Sequence, residues 1–211
     1  MPSPALLLLA LLSADDPFPL LAKIDFDDSP KSGWTFSDPK AFDFLKNGNG
    51  KALAIVGKSK LKPKHRSPLL YALLDKPVVE DFELNLSMKS TVKDYGHRDL
   101  CIFFGFQNPE HFYYIHLAKA ADPHAHSVFL VNGADRVSIG KDRTKGVEWG
   151  DEWRKIKVVR KSPEVSVYFD DMKKPVMIAS DATFKWGKVG VGSFDDAGMF
   201  DDFVLKGVEK K

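Results

Sequence analysis

The sequence predicts an all-β fold, an antiparallel sandwich or jelly roll of two sheets. Three observations carry this. Apolar residues recur with a period of two rather than 3.6. About a dozen such segments follow one another at intervals of roughly 8–15 residues, punctuated by Gly, Pro, Asn and Asp. The 211-residue chain holds 16 Phe, many alternating with polar residues, as an aromatic-rich β core requires. Hydrophobic residues at 44% and charged residues at 28% exclude a disordered or collagen-like chain.

The elements follow in order. Short apolar segments at 24–26, 34–36, 53–56 and 69–74 read as the first strands. Residues 81–89 (DFELNLSMK) put Phe82, Leu84, Leu86 and Met88 on one face and Glu83, Asn85, Ser87 and Lys89 on the other, a half-buried strand. Residues 98–107 are almost wholly apolar, so both faces of that strand need cover and it reads as central. Gly105 within it marks a bend or a close backbone approach. Asn108-Pro109-Glu110-His111 is a turn, and 112–117 is the returning strand of the hairpin. A strand at 127–131 ends at Asn132-Gly133. Residues 153–160 turn through Ser162-Pro163-Glu164 into 165–170, and strands at 176–179, 189–194 and 203–206 complete the set. One sandwich domain over residues 20–208 is expected.

Lys+Arg of 31 against Asp+Glu of 29 leaves a net charge of +2, which argues against a dedicated nucleic-acid binder. The basic run KSKLKPKHR, residues 58–66, reads as a solvated loop. Residues 1–14 (MPSPALLLLALLSA) carry an eight-residue apolar block, Ala5 to Leu12, then small residues and Asp15-Asp16. That is the shape of a secretory signal peptide cleaved after Ala14, although it lacks an n-region Lys or Arg and has Leu12 at position −3. The expected location is secreted or periplasmic. No segment reaches the length of about 20 apolar residues that a membrane span needs. The single cysteine, Cys101, excludes an internal disulfide and any CxxC motif, and inside Leu100-Cys101-Ile102-Phe103-Phe104 it reads as a small buried hydrophobe. The sequence carries no signal for an oligomeric state.

The second half has a further order. Residues 99–117 (DLCIFFGFQNPEHFYYIHL) are followed by Trp153-Arg154-Lys155-Ile156-Lys157-Val158 and by Val167-Tyr168-Phe169-Asp170-Asp171. Next come Trp186-Gly187-Lys188-Val189-Gly190-Val191-Gly192 and Phe200-Asp201-Asp202-Phe203-Val204-Leu205. This pattern over residues 80–207, with Ile24 to Phe26 and Gly33-Trp34, resembles the concanavalin A-like lectin/glucanase superfamily. Within it the chain looks most like the bacterial 3-keto-disaccharide hydrolase family. The resemblance implies a jelly-roll sandwich with a concave front across which sugars lie, stacked on aromatic rings and held by planar polar side chains. These motifs mark fold more than activity.

The richest region is 97–136, with five of the six histidines. Strict alternation puts Asp99, Cys101, Phe103, Gly105 and Gln107 on one face, and Phe112, Tyr114 and His116 on one face of the returning strand. A histidine beside a carboxylate suits acid–base chemistry near neutral pH. His116 or His97 is therefore the candidate acid or base, with Asp99 orienting it. Lys89, Arg98, Gln107, His124, Asn132 and Arg136 are the candidate ligand-holding residues, with Tyr113, Tyr114 or Trp186 as the stacking surface. Arg98 alternates with Asp99 and points the opposite way unless the strand bulges.

No cofactor is assigned. Two divalent-metal alternatives stay open: His124-Ala125-His126 with His116 or Asp122, and calcium between Asp25, Asp27, Asp28 and Asp195, Asp196, Asp201, Asp202. Phosphate-loop, dinucleotide, GxSxG and HExxH motifs are absent, as is the E-x-D-x-x-E carboxylate spacing of laminarinase-like glucanases. The leading expectation is an exported carbohydrate-active domain that binds, and in an enzyme version cleaves, a modified saccharide. A non-catalytic glycan-binding module and a structural envelope or adhesion domain are the alternatives.

Overall fold

A computed structural model describes residues 18–211, so the expected signal peptide lies outside the described residues. The strands are Leu20–Ile24 (β1), Trp34–Phe36 (β2), Phe42–Asn47 (β3), Gly50–Ile55 (β4), Leu70–Leu74 (β5), Val79–Ser90 (β6), Asp99–Asn108 (β7) and His111–Ala118 (β8). They continue as Ser127–Asn132 (β9), Val137–Ser138 (β10), Gly140–Arg143 (β11), Arg154–Lys161 (β12), Glu164–Phe169 (β13), Met177–Ser180 (β14), Lys188–Ser193 (β15) and Gly198–Glu209 (β16). Every pairing is antiparallel. One sheet runs β11-β14-β13-β12-β6-β16-β4-β3, with β1 also on β16; the other runs β10-β9-β8-β7-β15-β5-β2. No helix among the described residues is long and apolar enough to cross a membrane.

The two sheets close on one core. Phe82, Leu84, Leu86 and Met88 of β6 are buried in the phase their alternation predicts, beside Ile156 and Val158 of β12. Ile102, Phe104, Ile115, Leu117 and Val191 meet them from the second sheet. Each buried side chain of this size contributes about 1.5–3 kcal/mol. Strands β3, β10 and β11 were not legible as strands, and the first strand runs Leu20–Ile24 rather than over 24–26, where Phe26 has φ +60°. Strand β3 lies at a sheet edge and buries only Phe42 fully, so it lacks a clean apolar face.

The outer face of the seven-stranded sheet is apolar as well. Tyr71, Cys101, Phe103, Phe106, Phe112, Tyr114 and Phe129 form a second buried cluster there. This is why β7 is apolar on both faces in an antiparallel sheet. Its cover is the connection between β4 and β5. Lys58, Lys60, Lys62, Lys64 and Arg66 point outward, while Ser59, Leu61, Pro63 and His65 turn inward. Leu61 packs on the cluster, and a cavity of about 180 Å³ remains between the connection and Tyr71 and Phe112. The basic run is thus a solvated loop on one side and a cover on the other.

Candidate functional site

Three strand ends build the site. Asp99 opens β7, and Cys101 follows on the same face. His116 of β8 is the cross-strand partner of Cys101. Gly192 of β15 is its partner on the other side, which brings Ser193 up to Asp99. This register depends on Gly105, whose φ of +55° makes room for a bulge in β7. Phe104 pairs with Tyr113 and Asn108 with His111, so three residues of β7 face one of β8. The two extra residues slide the start of β7 by roughly 7 Å along its partner. Without them Phe103, not Cys101, would face His116.

Around these residues lies a cavity of about 340 Å³. Asp99 and His116 line it with His97, His124, Arg136 and Phe194, and Arg66, Tyr95, Asp122 and Asp195 complete the wall. Asp99 is buried, and its Oδ1 accepts from Ser193 Oγ at 3.3 Å, from the Phe194 amide at 3.3 Å and from the Cys101 thiol at 3.8 Å. Its own amide donates to Asp196 Oδ2 at 2.9 Å. Burial pushes the Asp196 carboxyl up, and burial with the Asp196 bond pushes the Tyr95 phenol up. Burial first, then the Asp99 charge, pushes the Cys101 thiol well up.

His116 is 5% exposed and held on both sides. Its Nδ1 lies 3.2 Å from the His124 carbonyl, which can only accept, so the ring proton sits on Nδ1. Its Nε2 lies 3.2 Å from Asp99 Oδ2, yet makes no hydrogen bond, because the carboxylate stands off the ring-nitrogen axis. The loop carrying His124 is pinned by Arg143, whose Nη1 donates to the carbonyls of Asp122 (2.9 Å), Ala125 (2.9 Å) and His126 (3.3 Å). Arg136 lies over the Phe194 ring at 4.5 Å and donates from Nη2 to the His124 carbonyl at 3.2 Å. Its Nε and Nη1 have no hydrogen-bond partner.

Of the residues picked out in the sequence, the fold gathers His97, Asp99, His116, His124 and Arg136 at one cavity. His97 is an exposed rim residue, with Nδ1 3.6 Å from Asp122 Oδ2. The others lie elsewhere. Lys89 is on β6 of the opposite sheet. Arg98 points away from Asp99 and is consumed internally, donating to Ser90 Oγ (2.9 Å), the Ser90 carbonyl (3.0 Å) and the Gly150 carbonyl (2.6 Å). Gln107 was placed on the Asp99 face by alternation; the bulge hands that place to Phe106 and leaves Gln107 exposed against the Trp186 carbonyl. Asn132 pairs with His111 at the turn end of the hairpin, roughly 17 Å along the strands from His116.

The expected stacking surfaces also differ. Tyr113 faces the core, stacked on Phe104 at 4.9 Å, with its hydroxyl donating to Asp181 and accepting from the Phe184 amide. Burial and Asp181 push that phenol up to about 12. Tyr114 shares the His116 face but is fully buried against Phe129. Trp186 is covered by Lys210, 3.1 Å over its ring. The ring at the cavity wall is Phe194, partly exposed, which polarity patterns did not single out.

The two metal alternatives do not assemble. His126 has φ +52° and turns inward to Thr144 Oγ1 at 2.9 Å, while His124 faces the cavity, so the two rings diverge. The first and last strands do pair, through Ile24 and Phe203. But Asp27 accepts from the Lys51 amide, Asp201 from Asn47 and Asp202 from Ser87, and Asp195 lies at the cavity. Among the described residues one group of three metal-capable side chains converges: Asp99, Cys101 and His116, with donor atoms within 4.8 Å of one another. Cys101 was legible on the Asp99 face, but its meeting with His116 required the bulge.

A larger cavity, about 590 Å³, adjoins the first at Asp195 and is lined by Val56, Gly57, Lys58, Leu69, Val92 and Asp196 among others. Its walls are mostly aliphatic, so the chemistry belongs to the smaller cavity.

No protein-family model and no curated protein matches the sequence. Solved structures share the fold. Carbohydrate-binding module CBM66 from Bacillus subtilis superposes with a TM-score of 0.59 at 16% identity, over 82% of this chain and 95% of that one. Domain 4 of AbnA, a GH43 extracellular arabinanase from Geobacillus stearothermophilus solved with arabinotriose, gives 0.59 at 13% identity, over 92% and 95%. A protein of Bacillus subtilis with a galectin-like fold gives 0.57 at 13%, over 91% and 97%. At these identities the likeness is one of fold, and it agrees with a concanavalin A-like sandwich.

Proposed function

We propose that the chain is an exported saccharide-binding domain whose ligand occupies the cavity between Arg136, Phe194, His97 and His124. The observation that carries the reading is the convergence of these groups, which are scattered over the sequence, at one opening. A sugar needs an apolar ring to cover its C–H face and fixed donors for its hydroxyls. Phe194, partly exposed at the wall with Arg136 over its ring, offers an apolar edge, and Arg136, His97 and His124 bring polar side chains to the same opening. The adjoining cavity across Asp195 gives space for a second sugar unit. A fold shared with a carbohydrate-binding module and an arabinanase domain supports the ligand class. Export rests on the apolar block Ala5 to Leu12, and mass spectrometry of the mature N-terminus checks it.

A glycan array with full-length protein tests the binding. A saccharide ligand is expected, with affinity falling about tenfold or more in Arg136→Gln, the loss of a charged hydrogen bond. A folded protein that binds no glycan, or an Arg136→Gln variant that binds unchanged, refutes the reading.

Cleavage, in the manner of the 3-keto-disaccharide hydrolases, is a second reading. The exposed His97–Asp122 pair at the rim favours it, because its imidazole can meet a bound sugar. His116 is poorly placed for that work, since its Nε2 is enclosed with Asp99. Turnover of a 3-keto-disaccharide that falls in His97→Gln supports cleavage; none in the wild type removes it.

A further inference from the structure

We propose that Asp99, Cys101 and His116 form a binding site for one divalent zinc-type ion in the floor of the cavity. The site does not rest on the saccharide reading. The donor set is one carboxylate oxygen, one sulfur and one imidazole nitrogen, all buried and within 4.8 Å of one another. That mixture suits zinc and its neighbours rather than calcium or magnesium, which select oxygen. A carboxylate and a thiolate together bring two negative charges, which balance the ion.

His116 carries the strongest sign. A neutral imidazole that donates from Nδ1 to a backbone carbonyl presents a lone pair at Nε2, the usual state of a metal-bound histidine. Here that lone pair is buried, has no hydrogen-bond partner and faces a carboxylate, another acceptor. Two acceptors turned on one point are brought together by a shared proton or by a metal cation, and the Cys101 sulfur beside them supplies a third donor suited to the metal. The spacing agrees. Donors at about 2.0–2.1 Å from a tetrahedral ion stand about 3.3 Å apart, each off the other's axis. Asp99 Oδ2 stands 3.2 Å from His116 Nε2 and off its axis.

The supporting shell is already built. Ser193 Oγ and the Phe194 amide hold the far oxygen of Asp99, and the His124 carbonyl fixes the His116 tautomer. Asp99 and His116 line the cavity, so a fourth position opens toward water or a ligand hydroxyl. Cys101 binds as the thiolate, and its proton leaves to solvent. With an ion in place His116 is a ligand and no longer a free base.

Cobalt(II) is the probe. Full-length protein, stripped with a chelator, is titrated with Co²⁺ and followed by absorption. One equivalent is expected, with the visible bands of a tetrahedral site and a near-ultraviolet thiolate charge-transfer band, both displaced by Zn²⁺. Cys101 is the sole cysteine, so a thiolate band can come from no other residue. Cys101→Ala and His116→Ala, checked for folding by circular dichroism, lose the site, and Ser193→Ala weakens it about 10–100-fold. A folded wild-type protein that gives no thiolate–cobalt band overturns the proposal, as does a tetrahedral spectrum that survives Cys101→Ala. Neither outcome touches glycan binding, which has its own readout.

Discussion

Gly105→Ala tests the feature that sets the register of the site. Gly105 has φ +55°, a conformation that costs an L residue about 1–2 kcal/mol. An added Cβ would stand 2.9 Å from Tyr113 Cδ2, 3.2 Å from Tyr113 Cε2 and 3.5 Å from Arg160 Nη1. The Tyr113 ring has little room to yield, being stacked on Phe104 and tied through its hydroxyl to the Phe184 amide at 2.9 Å. Overpacking of that kind costs about 1–3 kcal/mol. Reduced freedom of the unfolded chain returns about 0.4–1 kcal/mol. The net expectation is a loss of about 2–4 kcal/mol, or about 4–16 °C in Tm for a chain of this size. Urea unfolding with the m-value monitored is the assay. Gly96→Ala is the control, because a Cβ there meets nothing within 4 Å, and it should change stability by less than about 0.5 kcal/mol. A Gly105→Ala loss as small as the control's would refute the claim that β7 needs a glycine at the bulge.

Other outcomes follow from burial and charge. Leu84→Ala or Ile102→Ala, both fully buried, should each cost about 2–5 kcal/mol in the same assay. Arg98→Ala should cost about 1–3 kcal/mol, since it removes the buried donors that meet Ser90 and the Gly150 carbonyl; a loss under about 0.5 kcal/mol would show that water replaces it. His126 is fully buried, and burial, with the Arg143 charge nearby, lowers its pKa from 6.5 to about 4. The unfolded imidazole therefore takes up its proton first as pH falls. Its contribution is fully present above about pH 6.5 and is lost between there and about pH 4, up to about 3 kcal/mol. Tm measured against pH should show this fall flattened in His126→Gln, and parallel curves would contradict it.

Sandwich class, most strand positions and the phase of β6 were legible because alternation is local: each side chain reports its face by itself. The polar cluster at 97–136 was legible as a cluster for the same reason, and five of its histidine and aspartate members do meet. What lay beyond reach was anything that depends on pairing. The bulge at Gly105 slides Asp99 and Cys101 by two residues relative to His116, turns a presumed hydrophobe into a metal-capable neighbour, and ejects Gln107 from the face. The connection across the outer sheet buries Tyr114, which alternation offered as a sugar platform. Alternation put Arg98 on the other face from Asp99, but its partners, eight and 52 residues away, are chosen by packing. Sequence by itself determined which residues are apolar, polar or free to bend. Register, cover and the company each polar group keeps were decided by the tertiary structure, because those contacts join segments whose separation along the chain carries no periodic signal.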